Sequence, residues 1–339
     1  MQIEKKWQIK DINPELISEL SGKLNISKIT AAILANRGVT NVQEAEVFLN
    51  PSFFEISNPF TLPDMEKATD RIRLALDKNE KILIYGDRDI DGVTAVSLLY
   101  LSLKRLGANV FWFIPSIEGY GLHKEIIERY LAEGVTLIIT VDCGISNRDE
   151  ISYAASKGVD VIVTDHHEPP DVPPDAHSLV DPKRKDSPVD FPDFAGCTVA
   201  LKLAQALLMS YDELYDKELF VIDVETTGLH PYKDEICEIA AVRLFKFRKT
   251  DNFQTLVKTQ GDISPEVTAI HGISNEMCKE APEPKDAIAK FLNFIGDGVI
   301  VAHNAAFDLS FIKNYARKYL GKTLTNRVID TLTISREFF

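Results

Sequence analysis

Two groups of acidic residues carry the chemistry of this chain. In the first, Asp87, Asp89 and Asp91 alternate behind the apolar run Ile82-Leu83-Ile84-Tyr85, Asp142 ends a second apolar run, and Asp165-His166-His167 ends a third. In the second, Asp223 and Glu225 lie within Phe220-Val221-Ile222-Asp223-Val224-Glu225, and Asp308 follows the His303-Asn304 pair. Carboxylates gathered at the ends of buried strands are costly unless a cation neutralises them. The expected cofactor is therefore a divalent metal, and strand-end carboxylates with metal point to phosphodiester chemistry. Imidazole beside carboxylate suits manganese, and magnesium less exclusively.

The first motif also opens like a calcium-binding helix–loop–helix, which starts D-x-D-x-D-G and needs a glutamate at loop position twelve. Leu98 stands there, inside an apolar helical stretch, so that alternative is set aside. In the second motif, D-x-E on a strand puts Asp223 and Glu225 on one face, because side chains alternate with period two. Asp308 can complete a two-metal site that stabilises the attacking and leaving oxygens of a phosphoryl transfer. Thr226, with Thr227 and Gly228, offers hydroxyls and backbone N–H groups to a terminal nucleotide.

The elements that must hold these residues follow from periodicity. Residues 1 to about 70 read as helical and irregular, with breaks at Asn50-Pro51 and Asn58-Pro59. From Lys81 the pattern becomes strand, loop, helix: strands over 82–85, 109–114, 137–141 and 159–164, helices over 94–106, 124–133 and 148–157. That alternation predicts a mostly parallel α/β sheet with sites at the carboxyl ends of its strands. A second α/β unit starts near Glu218, with strands over 219–224, 236–247, 253–257 and 299–302 and helices over 285–294 and 309–319. The expected domains are a helical segment over 1–70, a parallel-sheet domain over 71–216 and a partial ribonuclease-H-like α/β domain over 217–339. The junction over 209–217 has neither Gly nor Pro and reads as a short polar turn rather than a tether.

The net charge of −13 is unusual for a nucleic-acid binder, whose affinity comes largely from basic groups. Metal-site carboxylates contribute to that total. Local basic clusters stand at Lys183-Arg184-Lys185 and Lys246-Phe247-Arg248-Lys249, each of which also suits a solvated surface. No apolar run is long enough to span a bilayer, residues 1–7 lack a signal-peptide core, and four scattered cysteines include no C-x-x-C pair. A cytoplasmic protein without membrane partners is expected.

The first group of motifs resembles the DHH phosphoesterases, and within them the RecJ single-stranded-DNA exonucleases. The matching pieces are Tyr85-Gly86-Asp87-Arg88-Asp89-Ile90-Asp91-Gly92, Glu118-Gly119-Tyr120-Gly121-Leu122, Val141-Asp142-Cys143-Gly144, Thr164-Asp165-His166-His167, Val180-Asp181-Pro182-Lys183 and the run from Ala195 to Ala204. The resemblance covers roughly residues 1–215. It implies that Asp89, Asp91, Asp142 and His166 hold metal, that Asp87, Asp165 and His167 stand behind them or face the substrate, with His167 among the catalytic groups, and that single-stranded DNA is degraded from its 5′ end. This chain departs from the family in three ways. Arg88 replaces the usual tyrosine and could pair with the aspartates or contact a phosphate. The stretch 114–119 is short and lacks an arginine. The family's last metal-binding aspartate has no counterpart.

The second group resembles the DnaQ-like 3′–5′ exonucleases with four acidic positions and a histidine base. The matching pieces are Asp223-Val224-Glu225-Thr226-Thr227-Gly228, Glu235 to Val242, Ile270-His271-Gly272-Ile273 and Val301 to Asp308. The resemblance implies metal on Asp223, Glu225 and Asp308, with Thr226, His303 and Asn304 near the substrate. His303 and His271 belong to turns in that family, and its final histidine and aspartate have no counterpart before Phe339. Both halves thus predict a piece of a longer polypeptide that works on single-stranded DNA in repair or recombination, alongside other repair or replication proteins. Two alternatives stay open: a catalytically impaired metal- and nucleic-acid-binding fragment, and a DHH phosphodiesterase of short oligonucleotides or cyclic dinucleotides.

Overall fold

The computed structural model describes residues 13–51, 56–189 and 191–338. The readings of residues 1–7 and of the end at Phe339 lie outside them. Two compact units divide the chain, residues 1–58 and 59–339. In the first, helices α1 (Pro14–Leu24), α2 (Lys28–Asn36) and α3 (Val42–Leu49) enclose a small core of Leu20, Ala31, Leu34 and Ala45. Asn13, Ser27 and Asn41 each accept a backbone N–H in the first turn of the helix they precede.

The second unit begins with α4 (Met65–Asp77), which straddles the expected boundary at residue 70. Its buried stripe of Met65, Ala68, Ile72 and Ala75 joins the core beneath a five-stranded sheet. That sheet contains β1 (Lys81–Gly86), β2 (Asn109–Phe113), β3 (Val135–Val141), β4 (Asp160–Thr164) and β5 (Ser178–Val180) in the order β2-β1-β3-β4-β5, with every pairing parallel. Helices α5 (Ile90–Arg105), α6 (Lys124–Ala132) and α7 (Arg148–Ser156) connect the strands, and α8 (Gly196–Met209) packs on α5 and α4. Covered on both faces, the strands are nearly continuous apolar runs, as buried parallel strands must be.

The second sheet, β6 (Leu219–Thr226), β7 (Ile236–Phe245), β8 (Arg248–Leu256), β9 (Val299–Ala302) and β10 (Val328–Asp330), has the order β10-β9-β6-β7-β8. The β6-β7-β8 meander is antiparallel and β9 and β10 are parallel to β6 and to each other. Helices α9 (Pro265–His271), α10 (Asn275–Lys279), α11 (Pro284–Ile295), α12 (Ala305–Tyr315) and α13 (Thr331–Phe338) complete it. The expected strand over 236–247 stops two residues early, because Lys246 and Phe247 both take positive φ and turn the chain into β8. The first half of β8 falls outside the expected strands. It is a charged, exposed edge, and such strands carry little apolar signal.

The junction is anchored rather than merely polar. Tyr215 is fully buried in the first domain's core, against Phe60 and against Phe247 of the β7–β8 turn. The turn also brings Lys246 within 2.8 Å of Asp70 and 3.0 Å of Glu66, and Arg248 within 3.1 Å of Glu66. The basic cluster at 246–249 is therefore not a free nucleic-acid patch: Lys246, Phe247 and Arg248 fasten the two sheets' domains together, while Arg248 and Lys249 keep an exposed face. Likewise Arg184 is held by Asp64 and Asp186, and Lys183 lies near Glu168 and Asp193. Among the described residues, no helix is long and apolar enough to cross a membrane, and all four cysteines are free.

Candidate metal centres

Strand register builds the first site. Gly86 pairs with Val141, Val141 with Thr164, and Thr164 with Val180. One residue beyond each stands an aspartate, so Asp87, Asp142, Asp165 and Asp181 form a row across four neighbouring strand ends. All four are buried. Asp181 belongs to one of the motifs quoted above, yet sequence alone assigns it no role. Its strand, β5, is too short to show a period, and without the strand the row is invisible.

The four carboxylates do different work. Asp165, 0% exposed, is saturated: it accepts from the backbone N–H groups of Ile145, His166 and His167, and lies 2.7 Å from His167 Nδ1. Burial opposes its ionisation, but the His167 contact and the Ile145 and His166 amides outweigh it and hold its pKa below the usual range. The same contact raises the pKa of His167 and orients its ring. Tyr120 sits on His167, ring centroids 5.8 Å apart and edge-on.

Asp142 is the opposite case. It is 2% exposed, has a left-handed backbone (φ +59°) that non-glycine residues seldom adopt, and its Oδ1 has no hydrogen-bond partner. His166 Nε2 lies 3.0 Å from that oxygen without hydrogen-bond alignment. Burial, then the charge of Asp91, pushes the Asp142 pKa up to about 7. Gly196 permits this arrangement, since a Cβ there would lie 2.5 Å from Asp142 Oδ1. Asp87 Oδ1 is also buried without a partner.

Two overlapping clusters result. Ligand atoms of Asp142, His166 and His167 lie within 4.8 Å of one another, as do those of Asp87, Asp89 and Asp142. Asp142 is common to both. Asp89 also caps α5, accepting from the Gly92 N–H. Asp91 faces the N-terminus of α8, where its two oxygens accept from the N–H groups of Gly196 and Cys197 at 2.7 Å each. It stands 3.8 Å from His166 Nε2. Arg88 is exposed and, among the described residues, makes no ion pair with the aspartates on either side of it.

The second site is looser. Asp223 is exposed and Glu225 half-buried on one face of β6, as the alternation predicts. Asp308 is buried in the first turn of α12 and accepts from the Val224 N–H at 3.1 Å. Burial, then the charge of Asp223, raises the Asp308 pKa to about 6, and burial also raises those of Asp223 and Glu225. Glu238 stands directly opposite Glu225 in the β6–β7 register, an acid that the sequence motifs do not single out. These residues do not form a set of three ligand atoms mutually within 4.8 Å among the described residues. Thr226 donates to the Gly228 carbonyl and closes its own loop. His303 Nδ1 lies 3.1 Å from the Thr331 hydroxyl, and Asn304, left-handed at φ +62°, donates its N–H to Asp330. His271 accepts the Ile273 N–H and so serves its own loop.

Residues 81–228 match the DHH family, N-terminal domain, and residues 220–339 match the exonuclease family RNase_T. The single-stranded-DNA-specific exonuclease RecJ of Bacillus subtilis is 37% identical over 261 residues, 76% of this chain and 33% of that protein. DNA polymerase III PolC-type of Caldanaerobacter subterraneus subsp. tengcongensis is 47% identical over 122 residues, 36% of this chain and 9% of that protein. Among solved structures, RecJ from Thermus thermophilus in complex with Mn2+ is 31% identical, with a TM-score of 0.46 over 60% of this chain and 28% of that one. The chain thus spans a third or less of the length of these relatives. It joins a DHH-family domain, similar in sequence to RecJ, to an RNase_T-type exonuclease domain.

Proposed function

We propose that this chain is a metal-dependent nuclease of single-stranded DNA whose principal site is the Asp-His row at the ends of β1, β3 and β4. The observation that carries the reading is Asp142: a buried carboxylate with an unpartnered oxygen, common to two clusters of ligand-type atoms. An acid so placed is costly alone and fits a site for two cations. Asp87, Asp89 and Asp142 would hold one ion, and Asp142, His166 and His167 the other. Asp91 would complete the set from the α8 cap, through lone pairs its two amide contacts leave free. Such ions, when bound, neutralise phosphate charge and lower the pKa of a bound water. Asp165 keeps the His167 ring in place, and Tyr120 borders the site where a nucleotide would lie. Arg88, unpaired beside the carboxylates, is suited to a phosphate.

By its likeness to RecJ this site would act from the 5′ end, and by likeness to the exonuclease family Asp223, Glu225 and Asp308 would form a second site acting from the 3′ end. Thr226, His303 and Asn304 would shape that site's substrate pocket. Repair or recombination in the cytoplasm is the setting this chemistry fits, and manganese the metal that the imidazoles favour. Single-stranded DNA labelled separately at its two ends, incubated with the chain and Mn2+, tests the reading. Early loss of the 5′ label, abolished in Asp142→Asn, is the expected result. Retention of both labels at saturating metal would refute it.

A further inference from the structure

On a chain of net charge −13, one cleft is lined by cations and by no acid. It has a volume of about 370 Å³ and lies beside α12, between the loop that follows β6 and the turn that follows α12. Lys313, Arg317 and Lys322 line it, all exposed. Among the described residues none of the three makes an ion pair, whereas Lys183, Arg184, Lys246 and Arg248 are all paired with acids. Like charges left together without partners repel one another, and an anion relieves that repulsion.

The remaining lining narrows the kind of anion. Tyr232 presents its ring at 85% exposure, and Ser310 adds a hydroxyl. The Asn314 side chain donates to the Pro231 carbonyl, which fixes the loop that carries Tyr232. An exposed aromatic ring beside unpaired cations is the pattern that binds a single strand, with bases stacking and phosphates paired. Position adds to this. Lys313 lies further along the helix that bears Asp308, by roughly 8 Å of axial rise, and Arg317 stands in the π-helical turn Ala316–Leu320 that continues it. Pro231 and Tyr232 lie in the loop that follows the strand bearing Asp223 and Glu225.

We infer that this cleft binds the sugar–phosphate backbone of a single-stranded polynucleotide, a few nucleotides from the end held at Asp223, Glu225 and Asp308. The placement of that end rests on the nuclease reading; the cleft's affinity for a strand does not. It gives an otherwise acidic protein a local attachment point on the exonuclease domain.

The test measures binding of a labelled oligothymidylate to the full chain without divalent metal, as a function of salt. Wild type is compared with the triple substitution Lys313→Ala, Arg317→Ala, Lys322→Ala and with a charge-matched control, Lys279→Ala, Lys285→Ala, Lys290→Ala. Losing three phosphate contacts should reduce the slope of log affinity against log salt by about 2 and weaken binding on the order of a hundredfold at 100 mM salt. The control should bind as wild type does. Tyr232→Ala should weaken binding roughly tenfold without changing the slope. In parallel, hydrolysis of the p-nitrophenyl ester of thymidine monophosphate with Mn2+ reports on the nuclease reading in the wild type. Equal slopes in the triple variant and the control would overturn the cleft's role, even if the ester is cleaved. A lost slope without ester cleavage would uphold the cleft and refute a nuclease site at Asp223, Glu225 and Asp308.

Discussion

The two acidic sites are built in different ways, and the difference sets how firmly each is organised before metal arrives. In the first, neighbouring parallel strands in a common register deliver an aspartate each, and two overlapping clusters of ligand-type atoms are already assembled. In the second, two acids come from one face of β6 and the third from α12, and their ligand atoms are not all within reach of one another. Register fixes position to within a strand's own rigidity, whereas at the second site strand and helix are tied through a side chain, Asp308 accepting from the Val224 N–H. The first site stores more unfavourable charge for this reason, since Asp142 and Asp181 are buried and each has an oxygen without a partner.

The sharpest way to break the contrast is at its shared ligand. Asp142→Asn should lower release of the 5′ label by at least about a thousandfold, the scale of losing one member of a catalytic set. Asp308→Asn should leave that activity unchanged and affect only release of the 3′ label. End-labelled substrates separate the two.

Stored charge gives the next largest effect. Burial lifts the Asp181 pKa from 3.8 to about 7. Between those values the unfolded chain has released a proton that the folded chain still holds, so stability falls as pH rises from about 4 to about 7. Asp181→Asn should remove that fall and stabilise the metal-free protein at pH 8 by up to about 4 kcal/mol. Urea titrations at pH 4 and pH 8 check it, and an unchanged pH dependence would show that Asp181 ionises freely.

Docking of the two domains is tested at the hairpin tip. Burial opposes the charge on Lys246, but Asp70 and Glu66 raise its pKa above the usual lysine range. The turn's two positive φ angles are unfavourable for Lys and Phe. Phe247→Ala should cost about 2–3 kcal/mol, the upper end for a partly buried aromatic, and should split one thermal transition into two. A single, merely shifted transition would mean that the tip adds stability without coupling the domains. The smallest effect concerns the second site: Glu238→Gln removes the acid opposite Glu225 and should stabilise the metal-free chain by about 0.5 kcal/mol. A matching drop in the Glu225 pKa, followed by NMR, would confirm the cause.

Much of this is legible in the residues. Apolar runs ending in Asp indicate the parallel strands, and D-x-E indicates one face of β6, because period and burial are local properties. What escapes such reading depends on distant pairing. Asp181 joins the row only through the β4–β5 register, and Glu238 meets Glu225 only through β6–β7. Lys246 and Arg248 read only as a local basic cluster or a solvated surface because their acidic partners, Glu66 and Asp70, lie far away in sequence. The α8 cap on Asp91 is hidden for the same reason, being formed by Gly196 and Cys197.

Calorimetric titration of Mn2+ into wild type, Asp142→Asn and Asp308→Asn tests the primacy of the first site most directly. The tightest Mn2+ binding should vanish in Asp142→Asn and persist in Asp308→Asn. The same tight binding in Asp142→Asn, or its loss in Asp308→Asn, would contradict a preassembled metal centre at the ends of β1, β3 and β4.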